Sequence, residues 1–197
     1  MKHLAVFLIV LFGALSFGGA QEKASPENQM ILWSKDGNFS EWYFYTGNKF
    51  VAEIRNGTDE DRTVTTCLGK SFGKEKFSVI PEACGYFGRE KGLGPQFWVL
   101  SETKKFSLSS YAQYARLRRD KSFGYYWFEG EAKTTKHFMP GLGFEIQREV
   151  HEPKEIDFGP STELTFGRFV FQFFPLWTVS KNDRGELHIH TGLIYNF

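Results

Sequence analysis

The chain has 197 residues, a size that favours one domain, and its formal net charge is +1. That near-neutral balance excludes the broad basic field a nucleic-acid binder needs to neutralise phosphates. The mean hydropathy is −0.36, yet 18% of residues are aromatic and Phe alone contributes 22. Polar on average but rich in large rings, such a chain fits strands with one apolar and one polar side better than a bundle of apolar spans.

The N-terminus has the form of an export signal. Lys2 and His3 precede an apolar run from Leu4 to Leu15, and Gly18 and Ala20 are small residues placed for cleavage before Gln21. The run is short for a membrane-spanning helix, so residues 1–20 are expected to be a cleaved signal peptide. No lipobox cysteine follows, which argues against a lipid anchor. Residues 21–40 are expected to be a lead-in before the folded domain, and residues 41–197 that domain.

From Glu41 onward a period-two pattern keeps returning between polar turns. The first predicted strand runs through Asn48–Arg55, with its start placed between Glu41 and Asn48. Then come Arg62–Phe72, Phe77–Gly88, Gln96–Glu102, Phe106–Arg116 and Phe123–Lys133. The last four are Phe138–Glu149, Ile156–Phe166, Phe169–Val179 and Glu186–Phe197. Longer charged connections alternate with shorter ones, as an all-β, up-and-down barrel crossing a bilayer requires, with about ten antiparallel strands (range about 8–12). Phe138, Leu142, Phe144 and Ile146 share one face of their strand, against Gly141, Gly143, Glu145, Gln147 and Glu149 on the other. A closed barrel in lipid must pair every backbone group and turn its apolar face outward. A soluble sheet shows the same alternation with the apolar side inward. Glycine and carboxylates on the polar face suit a narrow lumen, and large aromatics near strand ends suit interfacial girdles. Pro81, Pro140 and Pro160 fall inside predicted strands, where a closed barrel offers no free edge; bulges or strand ends are the places that would tolerate them.

The sharpest local signal is the C-terminus. Counting back by twos gives Phe197, Tyr195, Leu193, Thr191, Ile189 and Leu187 on one side, against Asn196, Ile194, Gly192, His190, His188 and Glu186. With its terminal Phe, the aromatic residue two before it and the alternation behind, this segment resembles the final strand of bacterial outer-membrane β-barrel proteins. The resemblance identifies a broad class and no single family. It implies an outer-membrane location and makes Leu193, Tyr195 and Phe197 an assembly signal read by the barrel-assembly machinery.

The expected lumen carries Glu82, Glu102, Glu129, Glu131, Glu145, Glu149, Asp157 and Glu163, with Lys133, Arg168, His188 and His190 as counterparts. Paired carboxylates can perform acid–base chemistry, but a small barrel also fills its lumen with ion pairs and hydrogen bonds, and that reading carries more weight. His188 and His190 share a face and, with Glu186, offer metal ligands; no further ligand follows from spacing, so a hydrogen-bonded pair is the expectation. Cys67 and Cys84 sit opposite one another if Glu75 and Lys76 form the intervening turn, which leaves a cross-strand disulfide and two reduced thiols equally open. Arg116, Arg118, Arg119 and Lys121 form a basic loop able to engage lipopolysaccharide phosphates, with a solvated loop as the simpler reading.

No cofactor is expected. The motif of lipid A deacylases, His-x-Ser, would fall on His188-Ile189-His190, which has no serine. No hydrolase, zinc-protease or phosphate-loop motif is present. The expectation is a monomeric barrel in contact with outer-membrane lipids, having a structural, surface-interaction or narrow small-solute passage role. The alternatives are a secreted, lipocalin-like barrel with its aromatic face lining a ligand cavity, and a lipid-modifying outer-membrane enzyme.

Overall fold

The computed structural model describes residues 28–47, 49–57, 63–74, 76–118, 122–149, 153–180 and 184–197. The proposed signal peptide lies outside them. β1 (Gln29–Lys35), β2 (Asn38–Gly47) and β3 (Phe50–Gly57) are followed by β4 (Val64–Lys70), the short β5 (Phe72–Lys74), β6 (Phe77–Phe87), β7 (Gly92–Glu102) and β8 (Phe106–Leu117). The chain continues through β9 (Ser122–Ala132), β10 (Phe138–Glu149), β11 (Glu155–Phe166), β12 (Phe169–Thr178) and β13 (Leu187–Asn196).

Apart from β4 and β5, which both pair with β6, each strand pairs antiparallel with its neighbour in sequence. β1 closes onto β13 through Gln29↔Asn196 to Lys35↔His190, and β4 joins β6 through Val64↔Phe87 to Gly69↔Glu82. The result is a closed barrel of 12 strands plus the short β5. β4 and β5 share one register against β6 and act as one interrupted strand. Among the described residues the twelve long strands are paired on both sides, as a sheet without water around it demands, and the short β5 extends beyond the β3 ladder with a partner in β6.

Two strands exceed the ten read from sequence. β1 and the first part of β2 occupy residues 29–40, which the sequence placed in a lead-in. The Asp36-Gly37 pair joins them with positive φ at both positions, 50° and 86°, the left-handed geometry of a two-residue hairpin turn.

The prolines sit where ladders are interrupted. Pro81 falls between the β4 pairing that ends at Gly69↔Glu82 and the β5 pairing that begins at Phe72↔Val79. Pro140 lies just before the β9–β10 ladder starts at Gly141↔Glu131. Pro160 lies in the gap between Phe158↔Trp177 and Thr162↔Phe173. A missing N–H is tolerated where no ladder bond would use it.

The apolar face points out. Phe50 (63% exposed), Phe72 (53%) and Phe166 (63%) stand on the outer surface, while the inward-facing Glu53, Glu145, Asp157 and His190 are each 1% exposed. Phe50, Phe72, Phe106, Phe138, Phe166 and Phe169 all lie at the strand ends nearest the termini and are exposed. They form a ring at one rim, with the Lys70 ammonium 5.8 Å from the Phe50 ring and 5.7 Å from that of Phe72. An aromatic girdle with a basic side chain stretched to the rim is the arrangement a bilayer interface selects. This surface runs against the soluble ligand-binding alternative, which needed the Phe-rich face turned inward. No helix among the described residues is long and apolar enough to cross a membrane.

Candidate functional site

The lumen is the candidate site, and it is stratified. Its middle is filled by rings. Tyr111, Trp127, Phe174 and Leu176 are buried together, with Trp33, Trp98 and Tyr125 packed against them. Trp127 meets Phe174 edge-on at 5.0 Å between centroids, and Trp33 lies 5.6 Å from each. These residues come from β1, β7, β8, β9 and β12, so the plug ties opposite walls together.

Above the plug, away from the termini, one wall carries a buried polar network. Arg55 on β3 donates to Glu53, to Tyr111, to Gln96 Oε1 at 2.7 Å and to Gln113 Oε1 at 3.2 Å. Its guanidinium also lies 4.3 Å from the Trp42 ring and 4.7 Å from that of Tyr111. Gln96 turns its amide nitrogen to Glu53 Oε2 at 2.6 Å and to Glu82. Cys67 and Cys84, directly opposite on β4 and β6, form a disulfide beside this network.

The facing wall holds a second cluster. Lys35 Nζ lies 3.1 Å from Glu145, 3.5 Å from Glu155 and 3.8 Å from Asp157. His190 Nε2 is 3.2 Å from Glu145 Oε2, and His188 Nδ1 is 2.6 Å from Asp36 Oδ2. Asp36 lies in the turn outside the strands. Burial works against its charge, but the His188 contact and the Ile189 N–H hold its carboxyl below the usual carboxylate range.

Below the plug, toward the termini, lies a cavity of about 250 Å³. The aromatic plug roofs it, and Gln29, Glu102, Ser109, Glu129 and Gln172 line it lower down. Glu102 pairs with Lys133. Ser109 donates to Glu129 at 3.4 Å, and Gln172 to Glu163 at 3.1 Å. Glu131 is buried on the same wall, one inward position from Glu129.

The carboxylates singled out from sequence thus fall into three separate groups. Glu82 belongs to the Arg55 wall, Glu145 and Asp157 to the Lys35 wall with both histidines, and Glu102, Glu129, Glu131 and Glu163 to the lower cavity. Glu149 is exposed at the end of β10, where the strand leaves the barrel, and Arg168 is exposed in the β11–β12 turn. Neither lies inside the lumen. Arg116 and Arg118 are exposed; Arg119 and Lys121 lie outside the described residues. Leu193, Tyr195 and Phe197 stand on the outer rim side of the last strand, with the Phe197 N–H donating to Asn28 O at 3.1 Å.

Sequence reasoning missed Lys35, Glu53, Arg55 and Gln96, which organise the two upper walls, and the tryptophans of the plug. Glu53 and Arg55 alternate with Phe50, Ala52 and Ile54 on a strand read correctly, so the inward-facing set was within reach.

No family model matches this sequence, and no curated protein does. Solved structures do match in fold. The KdgM porin aligns with a TM-score of 0.58 at 9% identity, over 87% of this chain and 99% of that one. The NanC porin aligns at 0.59 and 9%, over 86% and 98%. An outer membrane channel from Pseudomonas putida F1 aligns at 0.55 and 8%, over 92% and 100%. The fold is that of an outer-membrane β-barrel, and the lipid-facing exterior agrees with it.

Proposed function

We propose that this chain is a narrow outer-membrane channel for small solutes that favours cations over anions. The observation that carries this reading is the charge of the lumen. Among the described residues, Glu53, Glu82, Glu102, Glu129, Glu131, Glu145, Asp157 and Glu163 face inward, against Lys35, Arg55 and Lys133. A low-dielectric tube lined by one sign of charge concentrates the opposite ion. The KdgM porin has been seen with oligogalacturonate, a polyanion; the acid-lined lumen here argues against carrying that substrate class across. The aromatic plug keeps the passage small. The C-terminal residues Leu193, Tyr195 and Phe197 serve as the signal for insertion by the barrel-assembly machinery, and the exposed Arg116 and Arg118 reach lipopolysaccharide phosphates at the outer rim.

The test is reconstitution in planar bilayers under a KCl gradient. Small conductance steps with a reversal potential on the cation-selective side are expected, and Glu129→Gln with Glu131→Gln should shift that potential toward zero. Anion selectivity would overturn the reading, as would a folded barrel that conducts nothing.

A further inference from the structure

Three side chains converge at the mouth of the barrel opposite the termini. Glu155 and Asp157 project from β11, and His188 from β13, with β12 between them. One ligand atom from each lies within 4.8 Å of the others, and His188 Nε2 is 3.9 Å from Glu155 Oε1.

The histidine is held for this role. Its Nδ1 donates to Asp36 Oδ2 at 2.6 Å, and Asp36 is itself fixed because Oδ1 accepts the Ile189 N–H at 2.8 Å. A proton on Nδ1 leaves the Nε2 lone pair free and aimed at the two carboxylates. A carboxylate behind a histidine is the support that metal-ligating imidazoles use.

Asp157 supplies an independent sign. Its Oδ1 accepts from Thr178 Oγ1 at 2.8 Å, but Oδ2 has no hydrogen-bond partner although the residue is 1% exposed. The Lys35 ammonium, 3.8 Å away, is too far to donate. A buried anionic oxygen without a donor is costly, and a cation at this point satisfies it. The surrounding charge agrees: Asp36, Glu145, Glu155 and Asp157 border the cluster. Among the described residues, the one ammonium paired with them is that of Lys35.

We propose that Glu155, Asp157 and His188 bind a divalent transition-metal ion at the barrel mouth, with Asp36 orienting His188 and Lys35 displaced from between the carboxylates. One imidazole and two carboxylates leave a fourth position open to the mouth, the donor set and vacancy of an exposed Zn²⁺ site. Donors around a tetrahedral zinc are about 3.3 Å apart, so the 3.9 Å between His188 and Glu155 closes by rotation of the half-exposed Glu155 side chain. The site stands apart from the conduction reading and is tested without it.

The experiment is calorimetric titration of the refolded barrel with Zn²⁺, and separately with Ca²⁺ and Mg²⁺, after folding is verified by heat-dependent gel mobility. Saturable one-to-one Zn²⁺ binding is expected, with none for the two hard cations over the same range. H188A and D157N should abolish it, and D36N should weaken it by about 10–100-fold. H137A, at the opposite rim, should leave it unchanged. K35M should bind as well or better, because a competing ammonium is gone. Absence of saturable Zn²⁺ binding to the folded wild-type barrel overturns the proposal, whatever the variants do. So does binding that survives H188A, or a loss of affinity in K35M, which would make Lys35 part of the site.

Discussion

Pro160 on β11 faces Pro175 on β12, in the register set by Phe158↔Trp177 and Thr162↔Phe173. Two residues without N–H groups are thereby placed at one point of the ladder, so the loss is confined to a single gap. Gly159 sits beside it, and a Cβ built there would lie 2.1 Å from the Pro175 carbonyl oxygen. The backbone of β12 leans in against a residue that has no side chain.

That approach predicts an asymmetry between two glycines. Gly159→Ala forces backbone apart and should cost about 1–3 kcal/mol or more. Gly124→Ala, whose nearest contact would be 3.9 Å away, should change stability by no more than about 0.5 kcal/mol. Urea unfolding in lipid vesicles, followed by tryptophan fluorescence, measures both. Equal midpoints for the two variants would contradict the close approach.

The Arg55 network predicts a rescue. Arg55 is the cation that serves Glu53 and, through Gln96, the carboxylate of Glu82. Arg55→Met leaves buried acids without their counter-charge and should destabilise the barrel by about 3–5 kcal/mol. The double variant Arg55→Met with Glu53→Gln should recover much of that loss, because burying a neutral amide costs far less than burying an unpaired carboxylate. An additive double variant, in the same unfolding measurement, would show that the two residues do not act as a pair.

The disulfide predicts a stability effect without a conduction effect. Cys67 and Cys84 close a loop with a sequence separation of 17, and a cross-link of that length removes about 3 kcal/mol of chain entropy from the unfolded state in the simplest treatment. The pair lies on the β4–β6 wall, among backbone bonds that already fix the strands. Cys67→Ser with Cys84→Ser should still fold, with a lower thermal midpoint and unchanged conductance. In the native wild-type chain, alkylation before reduction should label neither thiol.

The parts of this architecture that alternate cleanly were legible in the sequence. On β10 and β11 phenylalanines fall on one face and carboxylates or glycines on the other, and the structure puts the former outside and the latter inside. β1 and β2 were not legible in that way. Met30-Ile31-Leu32-Trp33 and Trp42-Tyr43-Phe44-Tyr45 are apolar or aromatic on both faces, because their inward residues line the plug and the cavity beneath it while their outward ones meet lipid. Period-two reading fails where a lumen is apolar. The Asp36-Gly37 pair, a strong two-residue hairpin signal between apolar runs, would have recovered the missing hairpin. The separation of the acids into three groups was out of reach, since it depends on which strand lies across the lumen. Glu155 and His188 are brought together only by the intervening β12.

The aromatic plug itself predicts the width of the passage. Trp127 and Phe174 meet at 5.0 Å in the centre of the barrel, and Trp33 touches both. Removing the two rings should widen the constriction between the lower cavity and the upper lumen, so Trp127→Ala with Phe174→Ala should raise single-channel conductance several-fold. The cost is packing: truncating a buried ring loses about 3–5 kcal/mol, so the variant must be shown folded by gel mobility before it is recorded. Phe171→Ala, which removes a ring of the same kind from the lipid face of the same strand, should leave conductance unchanged. If the double variant conducts no better than wild type while folded, the constriction lies elsewhere, and the Arg55 network above the plug becomes the barrier to open next.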